Sequence, residues 1–408
     1  MDTITHGIAG ALIGKAFFAP DRPDDPDAAT RGAAAILGVT LGAVFPDIDY
    51  FGGYFTHDDF ALIDTHRYVT HSWLCMPLWA LGLALIVRGF ARWRGWRSPS
   101  FWMLWILCMV GIASHIVLDM ITSFGTMIWA PLSRERVSWD LVFIIDFAFT
   151  GIALAPQALA WAYRSGSLPA QAGGAASRAA RRSFVVWLIF SALAELAVWV
   201  ARAIGFSYAP WVAYAAPAVL AALFIGPLRK NWGLGLTRKT WCRAGCAALA
   251  GYLVVCVGAH EFALRRVREF VAENGLQTEQ LGALPLPPSL DHWDALIRTP
   301  NGVYETPLAL FSGIRPTPPP QLHFFADSAP SQWLEAARRQ PKVQTYLWFA
   351  RFPVFRFSTR PGQHTVIISD LRFFARPPES APFTYQVTFD DSGRVLSQGW
   401  VYFMRSRR

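Results

Sequence analysis

The sequence has 408 residues, of which 53% are hydrophobic, 14% aromatic and only 16% charged. Soluble domains carry about 25% charged residues, so the composition disfavours a wholly soluble chain and excludes a disordered chain or a small disulfide-held scaffold. The net charge of +9 is nearly all arginine, 33 of 37 basic residues, and its distribution has to decide between a nucleic acid and a membrane as its cause.

Apolar runs near the length of a membrane span occupy 73–90, 101–121, 140–162, 184–204, 210–226 and 243–263. Two shorter runs, 4–19 and 32–46, are rich in Ala and Gly and read as short spans, re-entrant segments or packed helices. Asp2, Thr3 and Thr5 open the chain where a basic n-region would stand, so no removable signal peptide is expected. From residue 264 the composition turns polar, and this dilutes the overall mean hydropathy to +0.28. Leu264–Gln280 reads as a charged helical stretch, followed by a break at Pro285, Pro287 and Pro288. Asn301-Gly302 marks a hairpin between Trp293–Thr299 and Val303–Leu310. Pro316 and Pro318–Pro320 mark a loop, Ser331–Arg339 a short helix, and 343–357, 364–376, 383–390 and 394–403 are strand-like.

Loop charge sets the expected orientation. The loops holding Arg22 and Arg31, Arg88 to Arg97, Arg164 to Arg182 and Arg229 to Arg243 carry 15 basic residues. The alternate loops hold three: Arg67, Arg134 and Arg136. The first set is therefore placed in the cytoplasm. The expected fold is mainly α: a polytopic transmembrane helical bundle of six to eight spans over 1–263, then a small β-rich extracytoplasmic domain over 264–408. Arginine in alternate loops is a topology signal and not a nucleic-acid footprint, so the bilayer is the expected partner and nucleic acid is not. All five cysteines lie in or beside apolar runs. Cys242 and Cys246, four apart, read as packing residues and not as a metal pair.

The chemistry gathers in the first 150 residues, as Thr5-His6, Pro46-Asp47-Ile48-Asp49, His66-Arg67, Thr70-His71-Ser72 and His115 with Asp119. His115 and Asp119 are spaced i, i+4, so both project from one helix face and can share a metal ion. Ionisable groups inside an apolar span are expensive and mark function. Asp47 and Asp49 follow a proline at the end of an apolar run, where a turn can aim two carboxylates together. Under the charge-derived orientation all five patterns fall on the outer face. Imidazole and carboxylate without thiolate suit zinc, manganese or iron. Asp146 lies deeper in the 140–162 run than Asp140, which reads as a helix-start residue. Glu195 is mid-span, His260-Glu261 reads as interfacial, and His57-Asp58-Asp59 as a solvated loop.

These patterns, with Met1–Gly10, Thr122, Gly125-Thr126 and Trp139-Asp140, resemble the bacterial inner-membrane metal-dependent hydrolases of the YdjM/YfhP type over about residues 1–150. The HxxxD pattern is also similar to that of zinc-dependent phospholipase C and related nucleases. The resemblance implies an inner-membrane protein with His6, Asp47, His66, His71, His115 and Asp119 as metal ligands or their close neighbours. The leading reading is then a hydrolase holding one to three divalent metals, zinc before manganese or iron, just inside the outer face. Arg67 would stabilise charge on a phosphoryl or acyl oxygen, and Asp49 or Asp146 would act as base or further ligand. A site at the lipid–water boundary favours a lipid or lipid-linked phosphoester. The rival readings are a membrane scaffold whose tail binds a protein partner and, less well, a metal-ion transporter.

Overall fold

The computed structural model describes residues 1–20, 25–52, 59–164, 172–203, 211–287, 289–310, 322–373 and 382–401. Arg22, His57, Asp58, Pro288 and the loop of Pro316 to Pro320 lie outside the described residues. Helix α1 (Thr3–Phe17) starts at Asp2, whose side chain accepts from the Thr5 backbone N–H and caps the first turn. Asp25 caps α2 (Pro26–Val44), with Pro26 preset at the first helical position. A 3-10 turn, Phe45–Asp49, continues α2. A single helical turn, Ala61–Asp64, and a second 3-10 turn, Val69–His71, lead into α3 (Met76–Trp93). Then follow α4 (Phe101–Met120), α5 (Phe147–Ala162), α6 (Ala172–Ala203), α7 (Val212–Phe224) and α8 (Arg238–Glu273).

Among the described residues, four helical segments, Pro26–Gly52, Phe101–Met120, Gly174–Trp199 and Arg238–Glu273, are long and apolar enough to cross a membrane. A fifth is reached if the bent pair Ala61–His71 and Met76–Trp93 counts as one span. This is fewer than the six to eight expected. The 140–162 run is helical only from Phe147, and α1, α5 and α7 have 15, 16 and 13 residues. At 1.5 Å per residue they reach only about 20–24 Å, short of a ~30 Å hydrocarbon core.

The helices alternate in direction, so the loops sort to two ends. At one end Arg97 meets Asp27 (3.3 Å) and Thr30, and Arg243 Nε donates to the Ala16 carbonyl (3.1 Å). At the other end lie residues 45–52, 59–72 and 121–146. Small residues bring α2 and α4 into backbone contact there. A Cβ on Gly111 would run into the Val39 carbonyl and the Gly42 Cα, and one on Gly42 into the Cys108 carbonyl. This small-residue seam is a standard way for apolar helices to approach closely without a polar partner.

Helix α8 runs past residue 263 to Glu273 without a break and carries the chain into two four-stranded antiparallel meanders. The first is β1 (Gln280–Leu286), β2 (His292–Thr299), β3 (Gly302–Ala309) and β4 (His323–Ala326). The expected hairpin is β2–β3, closed at Thr299 opposite Gly302. Strand β1 replaces the expected proline break. It is an edge strand, where Pro285 loses no ladder bond by lacking an N–H. The second meander is β5 (Pro353–Arg360), β6 (Gln363–Asp370), β7 (Thr384–Phe389) and β8 (Val395–Trp400), with α9 (Gln332–Arg338) and α10 (Pro341–Phe349) before it. The run 343–357 is thus a helix and then a strand. Pro341 starts the helix, and Val343, Tyr346 and Phe349 are buried at helical spacing.

The second sheet's core does not close on itself. Phe60, Ile63 and Phe124, from the loops at the ends of the bundle helices, pack into it beside Trp333, Tyr346, Phe349 and Tyr385. Arg351 also grips Asp140, Nη1 to Oδ1 and Nη2 to Oδ2, both at 2.9 Å. The C-terminal domain therefore sits on the same end of the bundle as residues 59–72 and 121–146.

Forcing a methyl into the α2–α4 seam costs about 1–3 kcal/mol of stability by overpacking. Gly111→Ala is therefore expected to lower the thermal midpoint of the purified chain. Gly89→Ala on α3, where a Cβ meets nothing within 4 Å, is the matched control and leaves the midpoint unchanged or raised.

Candidate metal centre

The α2–α4 seam has a direct chemical result. Ala43 follows Gly42, and its carbonyl lies 2.7 Å from His115 Nδ1. A carbonyl only accepts, so Nδ1 is the nitrogen that donates and Nε2 is the one that faces inward. His71 is fixed in the same way. Its Nδ1 faces Asp49 Oδ2 (3.2 Å) and Thr70 Oγ1 (2.9 Å), which leaves Nε2 to face inward. The two Nε2 atoms are 3.0 Å apart and aim at one point.

Two carboxylates aim at the same point. The 3-10 turn begun by Phe45-Pro46 carries Asp47, whose Oδ1 lies 3.4 Å from His115 Nε2 and 3.7 Å from His71 Nε2. Its other oxygen accepts from Thr3 Oγ1 (2.5 Å). Asp119, one turn beyond His115, brings Oδ2 to 3.1 Å from His71 Nε2 and 3.4 Å from His115 Nε2. Both histidines and Asp119 are fully buried, and Asp119 Oδ2 has no hydrogen bond among the described residues. A buried, ionised oxygen without a donor is costly unless a cation meets it.

One donor atom from each of Asp47, His71, His115 and Asp119 lies within 4.8 Å of every other. Bonds of 2.0–2.1 Å to a tetrahedral zinc ion place neighbouring donors about 3.3–3.4 Å apart. The histidine–histidine and histidine–carboxylate separations of 3.0–3.7 Å bracket that spacing. The donor set, its geometry and the orphaned oxygen all fit a divalent metal.

The remaining predicted residues surround this group. His6 stacks face to face on His115, with ring centroids 3.6 Å apart, and its Nε2 meets the other Asp119 oxygen, Oδ1, at 3.2 Å. Arg67 is buried, with Nη2 on Asp119 Oδ1 (2.9 Å) and Nη1 donating to Thr122 Oγ1 (3.2 Å). The Met1 amino nitrogen completes the donors on Oδ1. His66 is one step outside. Its Nδ1 meets Asp49 Oδ1 (2.6 Å), while Asp49 Oδ2 accepts from the Arg67 backbone N–H (3.0 Å) and Thr70 Oγ1 (2.5 Å). Asp49 thus stands behind His71, holding its ring, as carboxylates commonly do behind metal-bound imidazoles.

Asp146 is engaged elsewhere. It caps α5 through the Phe149 N–H and accepts from Tyr252 Oη (2.7 Å) and Ser289 Oγ (2.5 Å), joining α5, α8 and the tail. Several parts of the site were not singled out in the sequence: the Ala43 carbonyl, the Thr3 and Thr70 hydroxyls, and Phe124 beneath Arg67. Thr70, inside Thr70-His71-Ser72, is the one with a readable signal, because a hydroxyl beside a ligand imidazole is a natural orienting group.

With this geometry established, the sequence relationships can be placed on it. The model of the YdjM inner membrane protein family matches residues 1–205, which include every residue of the centre. The chain is 28% identical over 147 residues to the uncharacterized protein YfhP of Bacillus subtilis (strain 168). That stretch is 36% of this chain and spans less than half, 42%, of the relative. No solved structure matches the chain. The match over half of the sequence, centred on the helices that carry the His/Asp group, makes this chain a member of the YdjM inner membrane protein family.

Proposed function

We propose that this protein is a membrane-bound metal-dependent hydrolase that cleaves a phosphoester of a lipid or lipid-linked molecule at the outer membrane–water interface. The observation that carries the reading is the convergence of four oriented donor atoms, from Asp47, His71, His115 and Asp119, on one point at the end of an apolar bundle. A divalent ion held there supplies Lewis-acid charge to the ester oxygen and lowers the pKa of water. Zinc is favoured by the donor spacing; manganese and iron(II) share the ligand preference and leave more positions open beyond four protein donors.

The chain's own residues do the rest. Arg67 neutralises Asp119 Oδ1 and His6 Nε2 helps to fix it, so that Oδ2 points inward. Asp49 and the Ala43 carbonyl hold the two imidazoles as acceptors. His6 Nδ1 is buried with no hydrogen bond among the described residues, and it is the group proposed to take the proton from the attacking water. This moves the base role from Asp49, whose two oxygens are already engaged, to His6.

A membrane-borne substrate is supported by the surface beside the centre. Thr3 is bonded to Asp47, and the residues that follow each of them, Ile4 and Ile48, are exposed, as are Tyr50 and Phe51. At the end of a candidate span such side chains meet lipid. The arginine-rich loops gather at the opposite end of the bundle, which supports placing the centre and the C-terminal domain outside the cytoplasm.

Wild-type protein purified with Zn²⁺ or Mn²⁺ is expected to retain about one equivalent of metal per chain, with His115→Ala and Asp119→Asn losing it, read by elemental mass spectrometry. It is also expected to hydrolyse phospholipid or polyprenyl-phosphate substrates, and undiminished turnover in His115→Ala would overturn the proposal. Asp49→Asn separates support from ligation: metal is retained at saturation, with affinity down about 10- to 100-fold. Asp146→Asn is expected to leave metal affinity unchanged and to lower the thermal midpoint, because it disturbs the anchor on Tyr252 and Ser289 by about 1–3 kcal/mol.

A further inference from the structure

Residues 122–125, which follow Asp119 out of α4, face two ways. Thr122 Oγ1 accepts from Arg67 Nη1 (3.2 Å) and donates to the Asp119 carbonyl (2.8 Å). The Ser123 carbonyl accepts from Arg372 Nη1 (3.2 Å), and Arg372 Nη2 in turn holds the Phe349 carbonyl (2.6 Å). The Phe124 ring carries the Arg67 guanidinium at 4.9 Å from its centroid. It also packs against Phe349 (5.1 Å), Phe383 (6.0 Å) and Phe373 (6.2 Å), all in the C-terminal domain. The Gly125 carbonyl accepts from Arg136 Nη1 (3.0 Å), while Arg136 Nη2 holds the carbonyls of Ile63 (2.7 Å) and His66 (3.2 Å), next to Arg67.

Arg67 needs such support. Its backbone is at φ +63°, a region that non-glycine residues adopt at a cost and only where their surroundings enforce it. The segments on both sides of this contact, 60–63 and 124, are built into the second sheet's core. Gly125 is suited to the turn: it is at φ +83°, and a Cβ there would press on Arg136 Cβ at 3.0 Å.

We infer that the C-terminal domain is a working part of the metal centre, and that Phe124 is the positioning residue through which it holds Arg67, and so Asp119, in place. This rests on the metal-centre reading above. It assigns the tail a job: the second sheet is the floor on which the Arg67 side of the centre is built, and Phe124 is the wedge between them. The ring does two things at once, filling the aromatic pocket of Phe349, Phe373 and Phe383 and offering a π face to a buried cation.

The test is a Co²⁺ titration of the full-length chain, reading affinity and the visible ligand-field spectrum, which reports donor geometry at the ion. Phe124→Ala is expected to weaken Co²⁺ binding about 10- to 100-fold, as loss of an orienting partner does, and to shift the band envelope. Phe124→Leu keeps most of the volume without the π face, and is expected to fall between wild type and the alanine variant. Arg351→Ala breaks a contact between the same two parts of the chain at Asp140, away from Phe124, and should bind Co²⁺ within twofold of wild type. Wild-type affinity and spectrum in Phe124→Ala would overturn the inference while leaving the metal centre standing. If the alanine variant does not fold, Phe124→Leu decides alone: a threefold or larger loss supports the inference, and unchanged binding overturns it. A wild-type chain that binds no Co²⁺ removes the metal centre and this inference with it.

Discussion

A carboxylate with no solvent exposure inside an apolar bundle is the constraint on which the rest of this structure turns. Asp119 is that carboxylate. Burying an ionised group is strongly unfavourable unless each oxygen meets positive charge or donors. Its Oδ1 is met by Arg67 and His6. Its Oδ2 has no hydrogen bond among the described residues and lies beside the Nε2 atoms of His71 and His115, and that imbalance gives the centre its appetite for a cation.

Much of the surrounding architecture follows from satisfying this one side chain. The glycine seam between α2 and α4 brings the Ala43 carbonyl to His115 and so decides which nitrogen faces inward. The left-handed backbone at Arg67 directs the Arg67 backbone N–H to Asp49 and its guanidinium to Asp119. The neighbouring guanidinium of Arg136 is buried too. Burial first, then the charges of Arg67 and Arg372, push it down to about 9. Three backbone carbonyls and the Phe124, Trp348 and Phe349 rings offset that cost. A concentration of arginine around one aromatic residue is what two parts of a chain need when they must be locked together without a disulfide.

The sequence made the centre legible because its chemistry is written in residue type and short spacing. His115 and Asp119 at i, i+4, Asp47 after a proline, and His71 between Thr70 and Ser72 all needed only local rules. The distinction between donors that converge and donors that support them was not legible. Asp47 and Asp49 differ by two positions in one 3-10 turn, and only the path of 60–72 across it decides which faces the ion. Asp146 looked like a site residue for the same reason that it is buried, and tertiary contact with Tyr252 and Ser289 gives it a different task. In the tail, Pro285 hid an edge strand, and the β-branched and aromatic residues of 343–349 masked a helix that Pro341 begins. The described helices give four or five candidate spans where six to eight were expected, because apolar length in sequence does not reveal where a helix starts.

Asp47, His71, His115 and Asp119 are proposed to bind one divalent metal, and X-ray absorption spectroscopy at the metal edge of the purified full chain reads that coordination itself. The expected spectrum shows a shell of nitrogen and oxygen donors at about 2.0–2.2 Å with the outer-atom scattering of two imidazoles. A shell containing sulfur, a single imidazole, or no stoichiometric metal at all would contradict it.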